Sequence, residues 1–458
     1  MKKILITALA GVLSAMTVFG QSKRQDRPNI LIIMTDQHTA DAMSIAGNKD
    51  LKTPSIDFLA QNGTRFTEAY CVQPLCTPSR ISIFSGQRPI HTGFTGNVEE
   101  RDGLWPDSLL VMGKIFKDAG YKTGYVGKWH LPIPTTKISQ HGFDYIQNTA
   151  PGDFLDAANP SFCARFMKEH KNDPFLLVAS FLNPHDICEW ARNDQLKMDF
   201  IGTPPPPEQC PLLPANWRIA PNEPLIIREQ QKVNTKTYPS TQWDADKWRQ
   251  YRWAYNQLVE KVDNYIGMVL AGLKKYGLED NTIIIFTSDH GDGYAAHQWN
   301  QKQVLYQESA KVPFIVSKIG QWKEKTDNNL ICNGIDIMPT ICSFAGIKTP
   351  SYLKSGVDIK QVIEKPGTKL RDTLVIETDF ADNTRLLGIK GRAIITHQYK
   401  YIAYDKGDLR EQLFDLTVDP GETNNLAVQT KYKKTLNGMR AYMKKWAREN
   451  NDTFNSGK

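Results

Sequence analysis

Four apolar runs do most to limit what this chain can fold into. They lie at residues 29–35, 174–182, 282–288 and 311–317. Such runs lack the alternation of a half-exposed strand and are typical of strands buried on both faces of a parallel sheet. Helical patterns separate them, at residues 54–61, 108–119 and about 243–276. This order predicts an α/β fold, with a mostly parallel central sheet flanked by helices.

The last fifth of the chain differs from the rest in its composition and in its secondary-structure patterns. The composition shifts near residue 365, and short strand patterns follow at residues 391–397, 400–404 and 412–415. A basic helical pattern at about residues 425–449 closes the chain. We therefore expect a larger α/β domain of residues 25–365. Residues 366–458 should form a smaller α+β subdomain with an antiparallel sheet and a helix.

The N-terminus predicts export. Lys2 and Lys3 precede an apolar stretch, and Val18-Phe19-Gly20 resembles a cleavage site, so residues 1–20 are interpreted as a signal peptide and the protein as periplasmic or secreted. No stable membrane insertion is expected once that segment is removed. The net charge is +7, or +5 without the two lysines, which is too mild to indicate nucleic acid binding.

Polar residues stand where the predicted strands end. Asp36 follows the first run, His185 the second, and Asp289 and His290 the third. In open α/β sheets, ligands bind beyond the carboxyl ends of the strands. Lys128 and His130 follow a further strand pattern at residues 121–126. These side chains are therefore expected to meet in one site.

Residues 76–80, Cys-Thr-Pro-Ser-Arg, predict a reactive thiol at a helix start. There Cys76 would face converging backbone N–H groups and the positive end of the helix dipole, which lower a thiol pKa. Pro78 suits the first helical turn, and Arg80 would fall on the same face as Cys76. The alternative on these residues alone is a buried structural cysteine before a helix.

Two segments of the chain resemble the signatures of the type I sulfatases. Residues 76–80 are similar to the first signature, whose cysteine is converted to Cα-formylglycine, and residues 120–130 (Gly-Tyr-Lys-Thr-Gly-Tyr-Val-Gly-Lys-Trp-His) to the second. Phe84 and Ser85 depart from the more frequent Leu and Thr. The resemblance extends from about residue 27 to about residue 427 and implies the alkaline phosphatase superfamily, with a formylglycine-generating enzyme as maturation partner.

The resemblance also implies a metal site. Its ligands would be Asp36, Gln37, Asp289, His290 and the formylglycine made from Cys76. Gln37 stands where the commonest pattern has a second Asp, and His290 where it has Asn. Calcium is the expected ion because most of these ligands are hard oxygen donors, and another divalent cation stays an alternative.

The implied catalytic residues are Cys76, Arg80, Lys128, His130, His185 and Lys302. A hydrate of the formylglycine would attack sulfur, and elimination would then release sulfate. Arg80 would hold the diol and the metal-site carboxylates, while Lys128 and Lys302 would contact the sulfate oxygens. His130 would take a proton during elimination, and His185 or Lys302 would protonate the leaving oxygen. Lys302 follows Ala295-Ala296-His297 where the family has Gly-Glu-His.

Polar and aromatic residues near these motifs are expected to bind the substrate, since such groups suit a sugar. They are His297, Asn97, Asp186, Glu189, Arg192 and Trp299. The leading hypothesis is an exported sulfatase acting on O-sulfate esters of carbohydrates. A phosphate or phosphonate monoester hydrolase of the same superfamily is the first alternative, and a non-catalytic glycan-binding relative is the second.

Overall fold

The computed structural model describes residues 27–97, 104–147, 156–196, 200–233, 239–382 and 385–454. The predicted signal peptide lies outside these residues. Their strands are β1 Asn29–Asp36, β2 Gly63–Tyr70, β3 Lys122–Gly127, β4 Tyr145–Gln147, β5 Phe175–Pro184, β6 Thr282–Ser288, β7 Phe314–Ser317, β8 Lys325–Cys332, β9 Leu374–Asp382, β10 Arg385–Ile395, β11 Tyr399–Tyr404 and β12 Glu411–Asp415.

The helices are α1 Pro54–Gln61, α2 Cys76–Ser85, α3 Pro89–Thr92, α4 Met112–Asp118, α5 Ile138–His141, α6 Asn159–Glu169, α7 Ile187–Ala191, α8 Leu225–Val233, α9 Ala245–Lys275, α10 Gln307–Ala310, α11 Asn333–Ala345, α12 Lys360–Glu364 and α13 Lys433–Glu449. Along the described parts of the chain, no helix combines the length and the hydrophobicity that crossing a bilayer requires.

The main sheet has eight strands in the order β4-β3-β5-β1-β6-β7-β2-β8. Neighbouring strands are parallel except at β7, which runs antiparallel to both β6 and β2. The predicted α/β class with a mostly parallel sheet is thus confirmed. The central strand β1 pairs with β5 on one side and β6 on the other, so its carboxyl end lies between theirs.

Both faces of the main sheet are covered by helices. Ile30, Ile32 and Met34 of β1 pack in the core on the side of α2, α4 and α11. Leu31 and Ile33 pack in the opposite core, on the side of α1, α6 and α9. Burying one such side chain is worth about 1.5–3 kcal/mol relative to exposure, which explains why the strand has no polar face.

The smaller sheet is antiparallel, in the order β12-β11-β10-β9. One face carries Ile394 and Tyr401 and packs against Leu436 and Met443 of α13. The other face packs against the end of the main sheet near β8. The expected antiparallel sheet with a helix is therefore present.

Several elements differ in length from the sequence prediction. β7 covers only Phe314–Ser317, because Pro313 has no N–H for the sheet ladder. α4 begins at Met112 and α13 at Lys433, each later than its helical pattern. Sequence reasoning missed β2 altogether, since its residues Gly-Thr-Arg-Phe-Thr-Glu-Ala-Tyr contain charged and hydroxyl side chains and form no apolar run.

Candidate active site

Residues at the carboxyl ends of four neighbouring strands lie together at one edge of the main sheet. Asp36 ends β1, while Asp289 and His185 follow β6 and β5. Lys128 follows β3 on the far side of β5, and Cys76 is the first residue of α2. The topology therefore brings together residues that are up to 253 positions apart in the sequence.

Local backbone features fix the start and end of the segments that carry these residues. α2 follows Leu75, which is extended, and ends at Gly86 with φ +70°, a conformation that glycine adopts without strain. Gly127, with φ +98°, lies so close to Ser180 that a Cβ atom there would be 1.8 Å from the Ser180 carbonyl oxygen. Glycine is thus required for β3 to turn at this point and place Lys128.

The thiol of Cys76 is buried among charged groups. Its Sγ lies 3.2 Å from Nε2 of His290, 3.0 Å from Nζ of Lys302 and 3.8 Å from Oδ1 of Asp36. Burial and Asp36 act to raise the pKa of the thiol. The positive charges of Lys302, Lys128 and His290 outweigh both, so this pKa lies well below its ordinary value.

Arg80 joins the two carboxylates of the site. Its Nη2 donates to Oδ2 of Asp36 at 2.8 Å and its Nε to Oδ2 of Asp289 at 2.9 Å. Its Nη1 donates to the backbone oxygen of Lys128 and to Oγ of Ser180. The guanidinium is fully buried, and although burial acts to lower its pKa, the two carboxylates raise it. Arg80 therefore stays charged and holds both carboxylates in one orientation.

The remaining oxygens of these carboxylates can hold a metal ion. Oδ1 of Asp36 and Oδ1 of Asp289 lie 3.9 and 3.7 Å from Nε2 of His290. Two atoms bound to one calcium ion at right angles would be about 3.3–3.7 Å apart, so these separations are close to those that such an ion needs. Nδ1 of His290 faces the backbone oxygen of Gly291 at 2.8 Å. With a proton on Nδ1, the lone pair of Nε2 points at the carboxylates.

The two carboxylates also leave negative charge to be balanced. Burial and the charge of Asp36 raise the pKa of Asp289 to about 7. Burial acts in the same direction on Asp36, but Lys128, His185 and other cationic groups outweigh it and hold the pKa of Asp36 well below its ordinary value. A cation between the carboxylates would relieve their repulsion, which is the electrostatic condition for a metal site.

Gln37 lies beside the two carboxylates. Its backbone N–H donates to Oδ1 of Asp289 at 3.1 Å, and its carbonyl oxygen accepts from the hydroxyl of Tyr255 at 2.6 Å. Its side-chain Oε1 lies 3.0 Å from Nζ of Lys302. Asp36, Asp289 and His290 thus lie in one cluster with Cys76. Gln37 adjoins that cluster through its backbone N–H and through Lys302.

Two lysines and two histidines surround this cluster. Nζ of Lys128 lies 2.7 Å from Oδ2 of Asp36, and Lys302 contacts both Gln37 and Cys76. His130 and His185 are half-buried. Burial lowers the pKa of each imidazole, with Lys128 acting in the same direction and a hydrogen bond with Cys76 acting in the opposite one. Both histidines are therefore neutral at pH 7 and able to accept a proton.

Four of the predicted substrate residues lie next to the cluster or to the His185 segment. Oδ1 of Asn97 accepts the backbone N–H of Thr77, in the first turn of α2. Asp186 and Glu189 lie with His185 in one group of possible ligands. Arg192 is paired with Glu189 at 2.9 Å and with Asp194 at 2.7 Å.

The structure places His297 and Trp299 in the protein interior. His297 is fully buried, stacks on Tyr306 at 4.0 Å, and groups with Glu308 and Glu422 at the boundary with the smaller sheet. Trp299 is 4 % exposed, and its indole N–H donates to the backbone oxygen of Lys302. Trp299 thus supports Lys302 from inside the protein and leaves no open face for a sugar ring.

A cleft beside the His185 segment offers a different aromatic side chain. We name it the Trp190 cleft; its volume is about 360 Å³, and its lining is Trp190, Asn193, Asp194, Thr203, Pro204, Lys247 and Gln250. Nζ of Lys247 lies 4.1 Å from the centre of the Trp190 ring. Trp190 also contacts Tyr251 of α9 edge-on. An amphipathic cleft of this kind suits the apolar face and the hydroxyl groups of a sugar.

Sequence reasoning missed two residues that support the site. Ser180 accepts from Arg80 and donates to the backbone oxygen of Lys128, both near 3 Å. It is a polar residue inside an apolar run, and that was the available signal. Asp292, three residues after Asp289, accepts a hydrogen bond from the side chain of Gln37 at 2.8 Å. The sequence shows that Asp292 lies in the same polar segment as Asp289, but it does not show that Gln37 is its hydrogen-bond partner.

Comparisons with known proteins identify the family of this chain. The family model described as Sulfatase matches residues 28–347, and the model described as N-sulphoglucosamine sulphohydrolase, C-terminal, matches residues 295–449. An ulvan-active sulfatase of Formosa agariphila is 31% identical, with 95% of this chain and 84% of that protein covered. A Delta 4,5-hexuronate-2-O-sulfatase of Bacteroides thetaiotaomicron is 29% identical, with 95% and 92% covered.

A solved structure of a 2-O GAG sulfatase shares the fold. It superposes with a TM-score of 0.80 at 28% identity, and 94% of each chain is covered. The first family model spans well over half of this chain. The chain therefore belongs to the sulfatase family and is a sulfuric ester hydrolase.

Proposed function

We propose that this protein is an exported enzyme that hydrolyses O-sulfate esters of carbohydrates, with Cα-formylglycine at position 76 and a calcium ion beside it. The observation that carries the proposal is the arrangement around Cys76, where two lysines, two histidines and a carboxylate cluster converge on one buried side chain. A sulfate monoester needs its oxygens neutralised, its sulfur attacked and its leaving group protonated. This site has residues for each requirement.

The nucleophile belongs at position 76. The hydrate of a formylglycine would supply an oxygen nucleophile and, by re-forming its carbonyl, a way to release sulfate. Sγ of Cys76 marks the place of those oxygens. Lys302, 3.0 Å away, and Lys128, which reaches Asp36 from the other side, would bind the sulfate oxygens. Arg80 would keep the carboxylates of Asp36 and Asp289 turned away from the substrate's negative charge.

The two histidines would take part in different proton transfers. A neutral His130 with a lowered pKa is suited to take the proton that leaves residue 76 during elimination. His185 also has a lowered pKa, so it must gain a proton before it can donate one to the leaving oxygen. The ammonium of Lys302 is the other candidate acid. The pH–rate profiles of variants at His185 and at Lys302 would distinguish these two candidate acids.

The cation would be held by Asp36, Gln37, Asp289 and His290. It would supply positive charge that neutralises the sulfate oxygens. Ligand atoms 3.7–3.9 Å apart favour calcium, because the shorter bonds of magnesium would need ligand atoms only about 2.9 Å apart. The position of His290 gives the site one nitrogen donor among oxygens.

A carbohydrate substrate is supported by two kinds of observation. Two relatives that match over 95% of this chain are a Delta 4,5-hexuronate-2-O-sulfatase and an ulvan-active sulfatase. The Trp190 cleft lies along the segment that carries His185 and combines an aromatic ring with amide and charged side chains. We propose that sugar units next to the sulfated one bind there.

Export and maturation complete the proposal. The basic start and apolar run of residues 1–20 support passage through a membrane by a cleaved signal. A formylglycine-generating enzyme would have to act on Cys76 before or during folding, because the thiol is buried in the folded chain.

The experiment is a screen of sulfated monosaccharides and oligosaccharides with protein from a host that can mature the cysteine. Release of sulfate from at least one sugar, with aryl sulfate hydrolysed faster than aryl phosphate, is the expected result. Faster hydrolysis of the phosphate would favour the phosphate or phosphonate monoester hydrolase instead. Mass spectrometry of the peptide with residue 76 should show the aldehyde, and full retention of the thiol in native protein would favour the non-catalytic glycan-binding alternative.

A further inference from the structure

A buried carboxylate without an assigned role lies behind the metal cluster. Asp292 is fully buried, and four groups donate hydrogen bonds to its two oxygens. Oδ1 accepts from the backbone N–H of Tyr294 at 2.7 Å, and Oδ2 accepts from that of Gln301 at 3.0 Å. The hydroxyl of Tyr251 lies 2.8 and 2.9 Å from the two oxygens. The fourth donor is Nε2 of Gln37 at 2.8 Å.

Two contacts determine which end of the Gln37 amide faces the cluster. Asp292 can only accept, so it must face the nitrogen of the amide, at 2.8 Å. The ammonium of Lys302 can only donate, so it must face the oxygen, at 3.0 Å. The two contacts lie at opposite ends of the same amide, and both require the same orientation of the amide. The oxygen therefore faces Lys302, whose Nζ also lies 3.0 Å from Sγ of Cys76, and the nitrogen faces Asp292.

The orientation matters because glutamine is an asymmetric ligand. Its carbonyl oxygen can bind a hard cation, whereas its NH₂ group would present positive hydrogens to that cation. The two oxygens of a carboxylate bind a cation equally well, so an acid at position 37 would bind in either orientation. A glutamine at this position needs a neighbour that fixes which end of its amide faces the cation.

We propose that Asp292 is a positioning residue that holds the Gln37 amide with its oxygen toward the cluster of Asp36, Asp289 and His290, and so makes a neutral glutamine a cation ligand. The inference rests on the metal site of the proposed function and on no assumption about the sulfated substrate. Tyr251 of the long helix α9 holds Asp292 in turn, which links this orientation to the scaffold.

A purely structural role for Asp292 makes a different prediction. Asp292 also accepts the N–H groups of Tyr294 and Gln301, so it supports the loop that leads to Lys302. If that were its whole contribution, replacing it would weaken the site whatever residue stood at position 37. If it acts through Gln37, a symmetric side chain at position 37 should remove the need for it.

The test is calorimetric titration of calcium chloride into chelator-treated, full-length protein, with all variants from one expression host so that residue 76 has the same state. Asp292→Ala should weaken calcium binding by about 10- to 100-fold, the usual cost of losing a residue that orients a metal ligand. Asp292→Asn keeps one acceptor oxygen and should lose less. The double variant Gln37→Glu/Asp292→Asn, in which the acid and the amide exchange places, should bind calcium about as tightly as the unchanged protein.

The matched control is Asp263→Asn. Asp263 is another buried carboxylate; it accepts the backbone N–H groups of Ser55 and Ile56 at the start of α1. Its replacement should leave calcium affinity unchanged, and thermal unfolding with excess chelator should show that each variant is folded.

Two results would overturn this inference and leave the proposed function standing. They are unchanged calcium affinity in Asp292→Ala, and a double variant that binds calcium more weakly than Asp292→Asn. If Asp292→Ala does not fold, the comparison of Asp292→Asn with the double variant still decides. Failure of the unchanged protein to bind any calcium would overturn both this inference and the proposed calcium site, and the two failures are thereby distinguished.

Discussion

Nε of Arg80 donates to Oδ2 of Asp289 at 2.9 Å, inside a site where neither side chain touches solvent. Arg80 also holds Asp36 at 2.8 Å, so one guanidinium sets the orientation of two carboxylates. A planar fork can do this, whereas the single ammonium of lysine cannot reach both acceptors in the same geometry.

Arg80→Lys should therefore lower kcat/KM for an aryl sulfate by about 10- to 100-fold, because the carboxylates lose their common orientation. The matched control is Arg392→Lys. Arg392 is also buried and bridges Asp379 of the smaller sheet and Asp452, which follows α13. That variant should lower the melting temperature while the folded fraction keeps its activity. Equal activity in Arg80→Lys and wild type would contradict the role given to Arg80.

Cys76→Ala should abolish turnover and leave the fold intact. Deleting a catalytic nucleophile costs on the order of 10⁶-fold in kcat. The side chain is small, so circular dichroism should be unchanged. Wild-type rates from the alanine variant would show that residue 76 is not the nucleophile.

Chelation of divalent cations should reduce the activity of the unchanged protein, and added calcium should restore it.

Trp190→Ala should weaken binding of sulfated oligosaccharides more than that of a small aryl sulfate. Loss of an aromatic platform costs about 1 kcal/mol, or roughly fivefold in KM. The measurement is KM for both substrates, with Trp322→Ala as control because Trp322 packs against Phe344 elsewhere on the main core. Parallel changes for both substrates would argue against a sugar site in the Trp190 cleft.

His297→Phe should make the protein less sensitive to acid. Burial, with Arg228 and Lys400 next, lowers the pKa of His297 to about 3, so the folded state binds fewer protons than the unfolded state below about pH 6.5. The stability associated with a neutral His297 is complete above pH 6.5 and is lost at about 1.4 kcal/mol per pH unit as the pH falls toward 3. A phenylalanine preserves the ring that stacks on Tyr306 and removes this dependence.

The measurement is the change in melting temperature between pH 7 and pH 5 for the variant and for the unchanged protein. The difference between the two is needed because Glu308, in the same cluster, acts with the opposite sign. Burial and Glu422 raise the pKa of Glu308 to about 7, so protonation below pH 7 stabilises the fold. An identical pH dependence in the two proteins would mean that His297 is not kept neutral.

Much of the fold could be predicted from local pattern. The strands β1, β5 and β6 are buried on both faces, so their sequences are apolar throughout and easily recognised. β2 and β8 were missed because strands with charged residues lack that signal. The long helix α9, Ala245–Lys275, lies within a residue or two of its predicted bounds because its apolar positions repeat over many turns.

The candidate site was predictable to the extent that its residues follow strands or lie in recognisable segments. Asp36, Cys76 and Asp289 are of this kind, and the structure brings them into one cluster. His297 and Trp299 lie in a segment of similar composition, yet both side chains are buried in the protein interior. Nothing in their local sequence distinguishes a side chain that lines a cleft from one that fills the core.

The sequence alone determined the class of fold, the helix start at Cys76 and the types of residue available for the chemistry, because these depend on neighbours a few positions away. The tertiary structure decided which carboxylate oxygens face His290, which end of the Gln37 amide faces Lys302, and that Trp190 rather than Trp299 borders a cleft. Those outcomes depend on contacts between residues that are far apart in the sequence, whose geometry is set only when the helices and both sheets pack together.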